Sequence, residues 1–288
     1  MSDATAGAIM RWYAGAAREL PWRAPDRTPW GVLVSEMMLQ QTPVARVLPL
    51  WRSWMDRWPT ATSLAATAPG EAVRAWGRLG YPRRALRLHA SAVAIRELHA
   101  GAVPTSYDDL RALPGIGDYT AAAVAAFAHG ADIAVLDTNV RRVYARLFDG
   151  VAGPVTSSPT VSERRAATNR LPQRDAAVYS VAVMELGAVV CTARAPRCDE
   201  CPVRRDCRWL AAGRPTPDVV RRSQGYEGTD RQARGRLLAV LRDSVDAVSS
   251  HALDAAWPDD AQRNRALHGL ITDGLVEPSG DGGYRLPA

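Results

Sequence analysis

Residues 113–120 read LPGIGDYT, with helical patterning on both sides. Gly115 and Gly117 permit a tight hairpin and a close approach of the backbone to a ligand. The amides of such a hairpin, together with the N-terminus of the next helix, form an anion site suited to phosphate. A G-x-G turn by itself fits a plain helix–helix connection equally well. Asp118 conflicts with a phosphate site, because a carboxylate there repels the anion; its other reading is a cap on the following helix.

Around this hairpin the apolar residues recur at helical spacing. The pattern predicts helices near 7–18, 30–40, 43–57, 70–78, 84–99, 107–112, 118–129, 138–148, 159–170 and 175–189, with Val140, Val143, Tyr144 and Leu147 showing it clearly. Pro43, Pro59, Pro69, Pro82, Pro104, Pro114 and Pro172 fall at or near the ends of these segments, where a missing N–H does least harm. Residues 1–212 therefore read as one continuous, mainly α array. Residues 213–227, GRPTPDVVRRSQGYE, read as a linker. Beyond it, helices are expected at about 229–243, 250–256 and 260–273. LVEPSGDGGYRL (275–286) then predicts two short strands around a glycine-rich turn. Three helices and a hairpin make residues 228–288 a small winged-helix-like domain.

The chain has 288 residues, 47% of them apolar and 23% charged, enough for a sizeable core. Its net charge of +6 favours polyanionic partners. All 36 of its basic Lys and Arg residues are arginine. With no lysine, no side-chain amine is available for Schiff-base chemistry. No signal-like leader or long apolar run stands out, so an intracellular protein is expected. Disulfides are not expected in that setting.

The four cysteines, Cys191, Cys198, Cys201 and Cys207, follow the spacing C-x6-C-x2-C-x5-C and all lie within 17 residues. Four thiolates this close suit zinc or a [4Fe–4S] cluster. Zinc sites more often pair two C-x-x-C knuckles, and only one is present. Arg194, Arg197, Arg204, Arg205 and Arg208 interleave with the cysteines.

Two carboxylates attract attention. Glu36 lies in WGVLVSEMMLQQT (30–42) among apolar neighbours. It reads either as a desolvated acid of raised pKa or as an exposed glutamate on the polar stripe of a helix. Asp137 lies in ADIAVLDTNVRRV (131–143), where a helix N-cap without chemistry is an equal reading.

Taken together, the cysteine loop, LPGIG before an alanine-rich helix, SEMMLQQT and LDTNVRRV resemble the endonuclease III and MutY glycosylase superfamily, and within it the MutY-type adenine glycosylases. The resemblance covers about residues 8–212. It implies a two-lobed helix–hairpin–helix DNA glycosylase fold with a [4Fe–4S] cluster loop that meets the DNA backbone. It gives Glu36 the role of catalytic acid, Asp137 that of the superfamily's aspartate and Asn139 a supporting role. Endonuclease III-like lyases carry a nucleophilic lysine where this chain has Tyr119, so the resemblance implies a monofunctional enzyme in which Tyr119 supports the intermediate. DNA contacts are implied at Leu113, Gly115, Ile116, Gly117 and Thr120. Gln40 and Gln41 would enter the base stack. Tyr81, in RLGYPRRA (78–85), would stack beside the base opposite, and Arg83, Arg84 and Arg87 read as a basic stripe. Trp22 and Trp30 are weaker candidates for lining the base pocket.

The chain departs from that family in several places. Arg78 replaces the first glycine of a GLGY segment, and Pro82 replaces a second tyrosine. Val181, in YSVAV before MELGAVVC, stands where the family has a Gln or Glu that contacts adenine. A valine side chain cannot hydrogen-bond a base edge. The roughly 60 residues after the linker are too few for the family's usual 8-oxoguanine-recognition domain. The expected activity is removal of adenine mispaired with 8-oxoguanine or guanine, by a bacterial, cytoplasmic, nucleoid-associated monomer. The competing readings are a thymine or uracil mismatch glycosylase of the same fold and a non-catalytic iron–sulfur DNA-binding protein.

Overall fold

The computed structural model describes residues 3–216, 225–280 and 282–288. Their helices, in chain order, are α1 (Asp3–Ala16), α2 (Pro29–Leu39), α3 (Val44–Arg57), α4 (Ala61–Ala65), α5 (Pro69–Trp76), α6 (Arg83–Leu98), α7 (Tyr107–Ala112), α8 (Asp118–His129), α9 (Thr138–Tyr144), α10 (Val161–Thr168), α11 (Ala176–Val189), α12 (Arg208–Ala211), α13 (Asp230–Asp243), α14 (Ser250–Ala256) and α15 (Asp260–Thr272). Two short antiparallel strands, β1 (Glu277–Pro278) and β2 (Tyr284–Arg285), follow. The expected helices form within a few residues of their predicted places. The segment expected as one helix over 138–148 changes character. Its α-helix ends at Tyr144 and a π-helical turn, Ala145–Asp149, continues it. Helix α4 was not expected; Thr60 and Ser63 close a capping box at its start, which stabilises so short a helix.

By their contacts the described residues form two compact units. One holds residues 3–32, 105–111 and 116–216; the other holds 33–104, 112–115, 225–280 and 282–288. The C-terminal helices thus fall in one unit with residues 33–104, whereas the sequence pattern separates them from everything before the linker. Residues 217–224 of the expected linker lie outside the described residues.

In the first unit, Ala6 and Ile9 of α1, Val140, Val143 and Tyr144 of α9, and Tyr179, Ala182, Val183 and Leu186 of α11 share one apolar core. Helix α11 has a single charged residue, Glu185, whose side chain is fully buried. Burying an unpaired carboxylate is costly, and two guanidinium groups compensate it. Arg18 donates from Nε at 2.6 Å and from Nη2 at 2.7 Å, and Arg23 donates from Nη1 at 2.8 Å. Burial alone would raise the Glu185 carboxyl; the Arg18 hydrogen bonds and the charge of Arg23 overcome it and bring the pKa down to about 2.

In the second unit, Trp54 packs edge-on against Trp58 and Trp76, with centroids 4.9 and 5.7 Å away. The C-terminal helices join this unit through arginines that cap carbonyls. Arg74 of α5 donates to the carbonyls of Arg242 and, at 2.6 Å, of Ser244 at the end of α13. Arg242 returns a bond to the Val73 carbonyl at 3.0 Å. Arg83 of α6 pairs with Asp273 at 3.1 Å, and the Gly70 amide bonds the Pro287 carbonyl at 2.8 Å.

Because the Glu185 carboxyl is depressed in the folded chain, its contribution is present above the unfolded value of about 4.5 and fades as pH falls toward about 2. Glu185→Gln is expected to cost about 3 kcal/mol at neutral pH, the low end for a broken buried pair because Arg18 is partly exposed. It should also flatten the loss of stability on acidification. Denaturant unfolding of both proteins at pH 7 and pH 3 measures the two effects.

Candidate functional site

Helix α2 starts at Pro29, where the Thr28 hydroxyl accepts the Gly31 amide at 3.0 Å. From Gly31 to Met38 every residue is buried. A helix apolar all round belongs in a core, and Glu36, 4% exposed, is inside it. The exposed-stripe reading of Glu36 therefore does not hold. The chain leaves the helix through Gln40, half-buried, and Gln41, exposed with a left-handed φ of 57°. Gln40 Nε2 donates to the Met37 sulfur at 3.7 Å.

The carbonyls at the end of α2 have no partners within the helix. Arg84 supplies them: its Nη1 donates to Met37 O at 3.0 Å, Met38 O at 3.4 Å and Gln40 O at 2.6 Å. Its Nη2 reaches Thr42 Oγ1 at 3.5 Å and Gly80 O at 3.3 Å. The same guanidinium lies 5.1 Å from the Tyr81 ring centre and 5.5 Å from that of Trp76. Arg84 is 6% exposed, and burial lowers its pKa. It does not belong to the surface stripe expected from the sequence; of that trio only Arg83 and Arg87 face solvent. Through Arg84, the loop with Gln40 and Gln41 and the loop with Tyr81 share one anchor. Trp76 Nε1 adds a bond to Gly80 O at 3.0 Å. Tyr81 itself is 48% exposed with φ of 50°, an outlying conformation for a bulky residue.

In the first unit, Asp137 is the N-cap of α9. Its Oδ1 accepts the Val140 amide at 2.6 Å and its Oδ2 accepts Asn139 Nδ2 at 2.8 Å. Burial raises its carboxyl pKa; the Val140 and Asn139 bonds and the charge of Arg142 pull the other way without cancelling the rise. Asn139 Oδ1 accepts from Arg142 Nη2 at 2.8 Å. The same Arg142 donates to Gly187 O at 2.6 Å and Cys191 O at 2.8 Å. Helix α11 reaches this close through Gly187, where a Cβ would stand 2.8 Å from the Asn139 Cβ. A hydrogen-bonded line thus runs Asp137–Asn139–Arg142–Cys191.

Arg146, in the π-helical turn, completes the support of the cysteine loop. It donates to Cys191 Sγ at 3.4 Å, Thr192 O at 2.7 Å and Ala193 O at 3.0 Å, and stacks 4.3 Å from the Trp209 ring centre. All four cysteines are unpaired and half-buried. Cys201 is pushed up to about 11 by burial and by the nearby sulfurs of Cys191, Cys207 and Cys198. Thiols that raise one another's pKa share one neighbourhood, and binding a metal centre there would release their protons. Among the described residues, no three His, Cys, Asp or Glu side chains converge as a single-ion site. Of the interleaved arginines, Arg197 pairs with Glu200 at 2.8 Å and Arg204 with Asp199 at 2.8 Å. Arg194, Arg205 and Arg208 are exposed and make no ion pair among the described residues.

At the hairpin, Leu113 and Ile116 are buried anchors and Thr120 is buried in α8. Gly115 has φ of 77°, and a Cβ there would stand 2.5 Å from the Arg87 Cβ, so both conformation and space require glycine. Gly117 differs: it caps α8 in ordinary extended geometry, and a Cβ would meet nothing within 4 Å. Asp118 is neither a cap nor an uncompensated charge. It pairs with Arg111 at 2.8 Å and Arg164 at 3.0 Å, which removes the expected conflict with phosphate. Tyr119 is half-buried and packs on the cluster of Ala122, Ala123, Ala126 and Val135. Trp22 and Trp30 are buried, and Val181 is half-buried on α11.

Sequence reading missed the buried arginines Arg84, Arg142 and Arg146. Their only signal is that each occupies a helical position adjoining apolar ones, as in RRVYARLF.

Residues 34–163 match the HhH-GPD superfamily of base excision DNA repair proteins, and residues 191–207 match the iron–sulfur binding domain of endonuclease III. The solved structure of a thermostable thymine-DNA glycosylase shares the fold, with a TM-score of 0.64 at 23% identity over 73% of this chain and 96% of that one. These findings define a helix–hairpin–helix repair protein whose cofactor is a [4Fe–4S] cluster and whose partner is DNA. Among curated proteins, the adenine DNA glycosylase of Mycolicibacterium smegmatis is 53% identical over 279 residues, covering 96% of this chain and 94% of that protein. That of Mycobacterium tuberculosis H37Rv is 50% identical over 283 residues, covering 97% and 92%. The chain belongs to the adenine DNA glycosylase family. Among the described residues, no helix is long and apolar enough to cross a membrane.

Arg84→Met keeps the apolar stem but removes the guanidinium bonds to the carbonyls of Met37, Met38 and Gln40. The expected loss is about 3 kcal/mol, seen as a lower urea midpoint at unchanged m-value. Arg84→Lys should recover only part of it, since one ammonium cannot reproduce a planar fork.

Proposed function

We propose that the enzyme hydrolyses the N-glycosidic bond of adenine mispaired with 8-oxoguanine or guanine in duplex DNA, leaving an abasic site in an intact strand. The observation that carries this reading is Glu36, a carboxylic acid held within the buried run 30–38 of α2, just before LQQT. A carboxyl enclosed in this way is shut off from bulk water, as a group that exchanges a proton with a bound base requires.

Adenine leaves the stack at a cost of a few kcal/mol, lower at a mismatch. Gln40 and Gln41 enter the space left in the stack, and Tyr81 stacks beside the base opposite. Glu36 gives its proton to N7 of adenine, and the C1′–N9 bond breaks with its electron pair leaving on the base. The sugar becomes oxocarbenium-like. Asp137 stabilises that cation, either by charge or by a transient covalent bond. Its two oxygens are already oriented by Val140 and Asn139. It is half-buried, so screening by water is reduced there and its attraction for positive charge is strengthened. Water then adds at C1′ and returns a proton to Glu36. Without lysine in the chain, β-elimination through an amine does not follow. Tyr119 supports the intermediate.

Leu113, Gly115, Ile116, Gly117 and Thr120 present the hairpin to a backbone phosphate. Cys191, Cys198, Cys201 and Cys207 hold the cluster, which organises a loop with Arg194, Arg205 and Arg208 available to phosphates. The enzyme acts as a monomer in the bacterial cytoplasm, on the nucleoid. Val181 favours a second reading, a thymine or uracil mismatch glycosylase, because it offers the base no hydrogen bond.

Glu36→Gln should slow single-turnover release of adenine opposite 8-oxoguanine by at least about a hundredfold. Binding to the same duplex should stay within about threefold of wild type, since the change conserves shape. Alkali cleavage of abasic product and a gel-shift titration read the two quantities; a variant that cleaves at the wild-type rate removes Glu36 from the mechanism.

A further inference from the structure

Among the described residues, two large aromatic side chains are exposed, Tyr81 at 48% and Tyr226 at 51%. They are far apart in sequence, yet both engage one side chain. The guanidinium of Arg231, on α13, lies 5.5 Å from the ring centre of Tyr81 and 5.8 Å from that of Tyr226. Arg231 is itself exposed and forms no ion pair among the described residues. The acid beside it in sequence, Asp230, is taken by Gln262 at 2.9 Å and Arg265 at 3.4 Å. Asp273, the acid shared by Arg83 and Arg234, is likewise occupied.

An exposed aromatic–guanidinium–aromatic group with an unneutralised charge suits nucleobases, whose faces stack on both ring and guanidinium planes, and the phosphates that join them. Two features make it more than a chance surface contact. Tyr81 is held in a left-handed backbone conformation that bulky residues rarely adopt, with Arg84 against its ring from within the fold. Helix α13 is fixed beside α5 by the reciprocal bonds of Arg74 and Arg242, so Arg231 is carried on a firm support.

We propose that Arg231 and Tyr226 extend the Tyr81 platform and help to read the base opposite the excised adenine, which makes the C-terminal helices part of the specificity apparatus. The inference rests on the reading of Tyr81 as the residue that stacks beside that base.

The test uses the full chain with its cluster and single-turnover rates on duplexes with adenine opposite 8-oxoguanine and opposite guanine. Arg231→Ala and Tyr226→Ala should each move the ratio of the two rates toward one by about fivefold. Arg231→Lys, which keeps the charge and loses the plane, should behave as Arg231→Ala does. Arg236→Ala, an exposed change on the same helix, should leave the ratio alone. The double variant Tyr81→Ala with Arg231→Ala should match Tyr81→Ala alone, because the two residues act as one unit. If Tyr81→Ala shifts the ratio while Arg231→Ala and Tyr226→Ala do not, the inference is overturned and the reading of Tyr81 stands. If Tyr81→Ala leaves the ratio unchanged, both fall.

Discussion

A buried guanidinium with no carboxylate partner among the described residues, that of Arg84, holds together the loop after α2 and the loop that carries Tyr81. Its charge is balanced by carbonyl dipoles at the end of α2, by Gly80 O and by the faces of Trp76 and Tyr81. Placing a cation in the interior is costly, and the cost is tolerable only because so many acceptors converge. The last carbonyls of α2 have no partners within the helix and lie in its buried part, so they need a donor from elsewhere. Arg84 provides it, and in doing so fixes where Gln40, Gln41 and Tyr81 stand. One residue therefore ties the end of the helix that buries Glu36 to the loop that carries Tyr81.

The first unit solves a similar problem with the same chemistry. Arg142 and Arg146 leave α9 and its π-helical turn to satisfy carbonyls of α11 and the cysteine loop. A planar fork with five donors can bridge several acceptors at fixed angles, which an ammonium cannot. In a chain without lysine, arginine performs every cationic task, internal and external alike. The line Asp137–Asn139–Arg142–Cys191 means that the orientation of the carboxylate and the seating of the cysteine loop are not independent. Displacement of Cys191 would be felt at Asn139 before it is felt at any more distant residue.

Most of the helical order was legible in the sequence, because apolar periodicity and proline placement are local signals. Helix α4 escaped because five residues carry too little periodicity, and the π-helical turn escaped because Val140, Val143, Tyr144 and Leu147 keep α-helical spacing and only Leu147 lies within it. The cysteine spacing and Gly115 were legible for the same local reason. Asp118 was misjudged because its partners, Arg111 and Arg164, are brought to it by the fold. Arg84 was read as surface because an arginine in a helix is usually there; only the demand of a distant helix end reveals otherwise. The association of α13 with α5 was invisible, since Arg74, Arg242 and Gly70 carry no pattern that names their partners.

The central claim is adenine excision by a chain whose α11 offers Val181 rather than a hydrogen-bonding side chain. Single-turnover cleavage by the wild-type enzyme, with alkali to break abasic sites, tests it on four duplexes: adenine opposite 8-oxoguanine, guanine or thymine, and thymine opposite guanine. The account predicts cleavage of the adenine strand in the first two duplexes and of neither strand in the others. Cleavage at thymine opposite guanine, or no cleavage of any duplex by cluster-loaded enzyme, would contradict it.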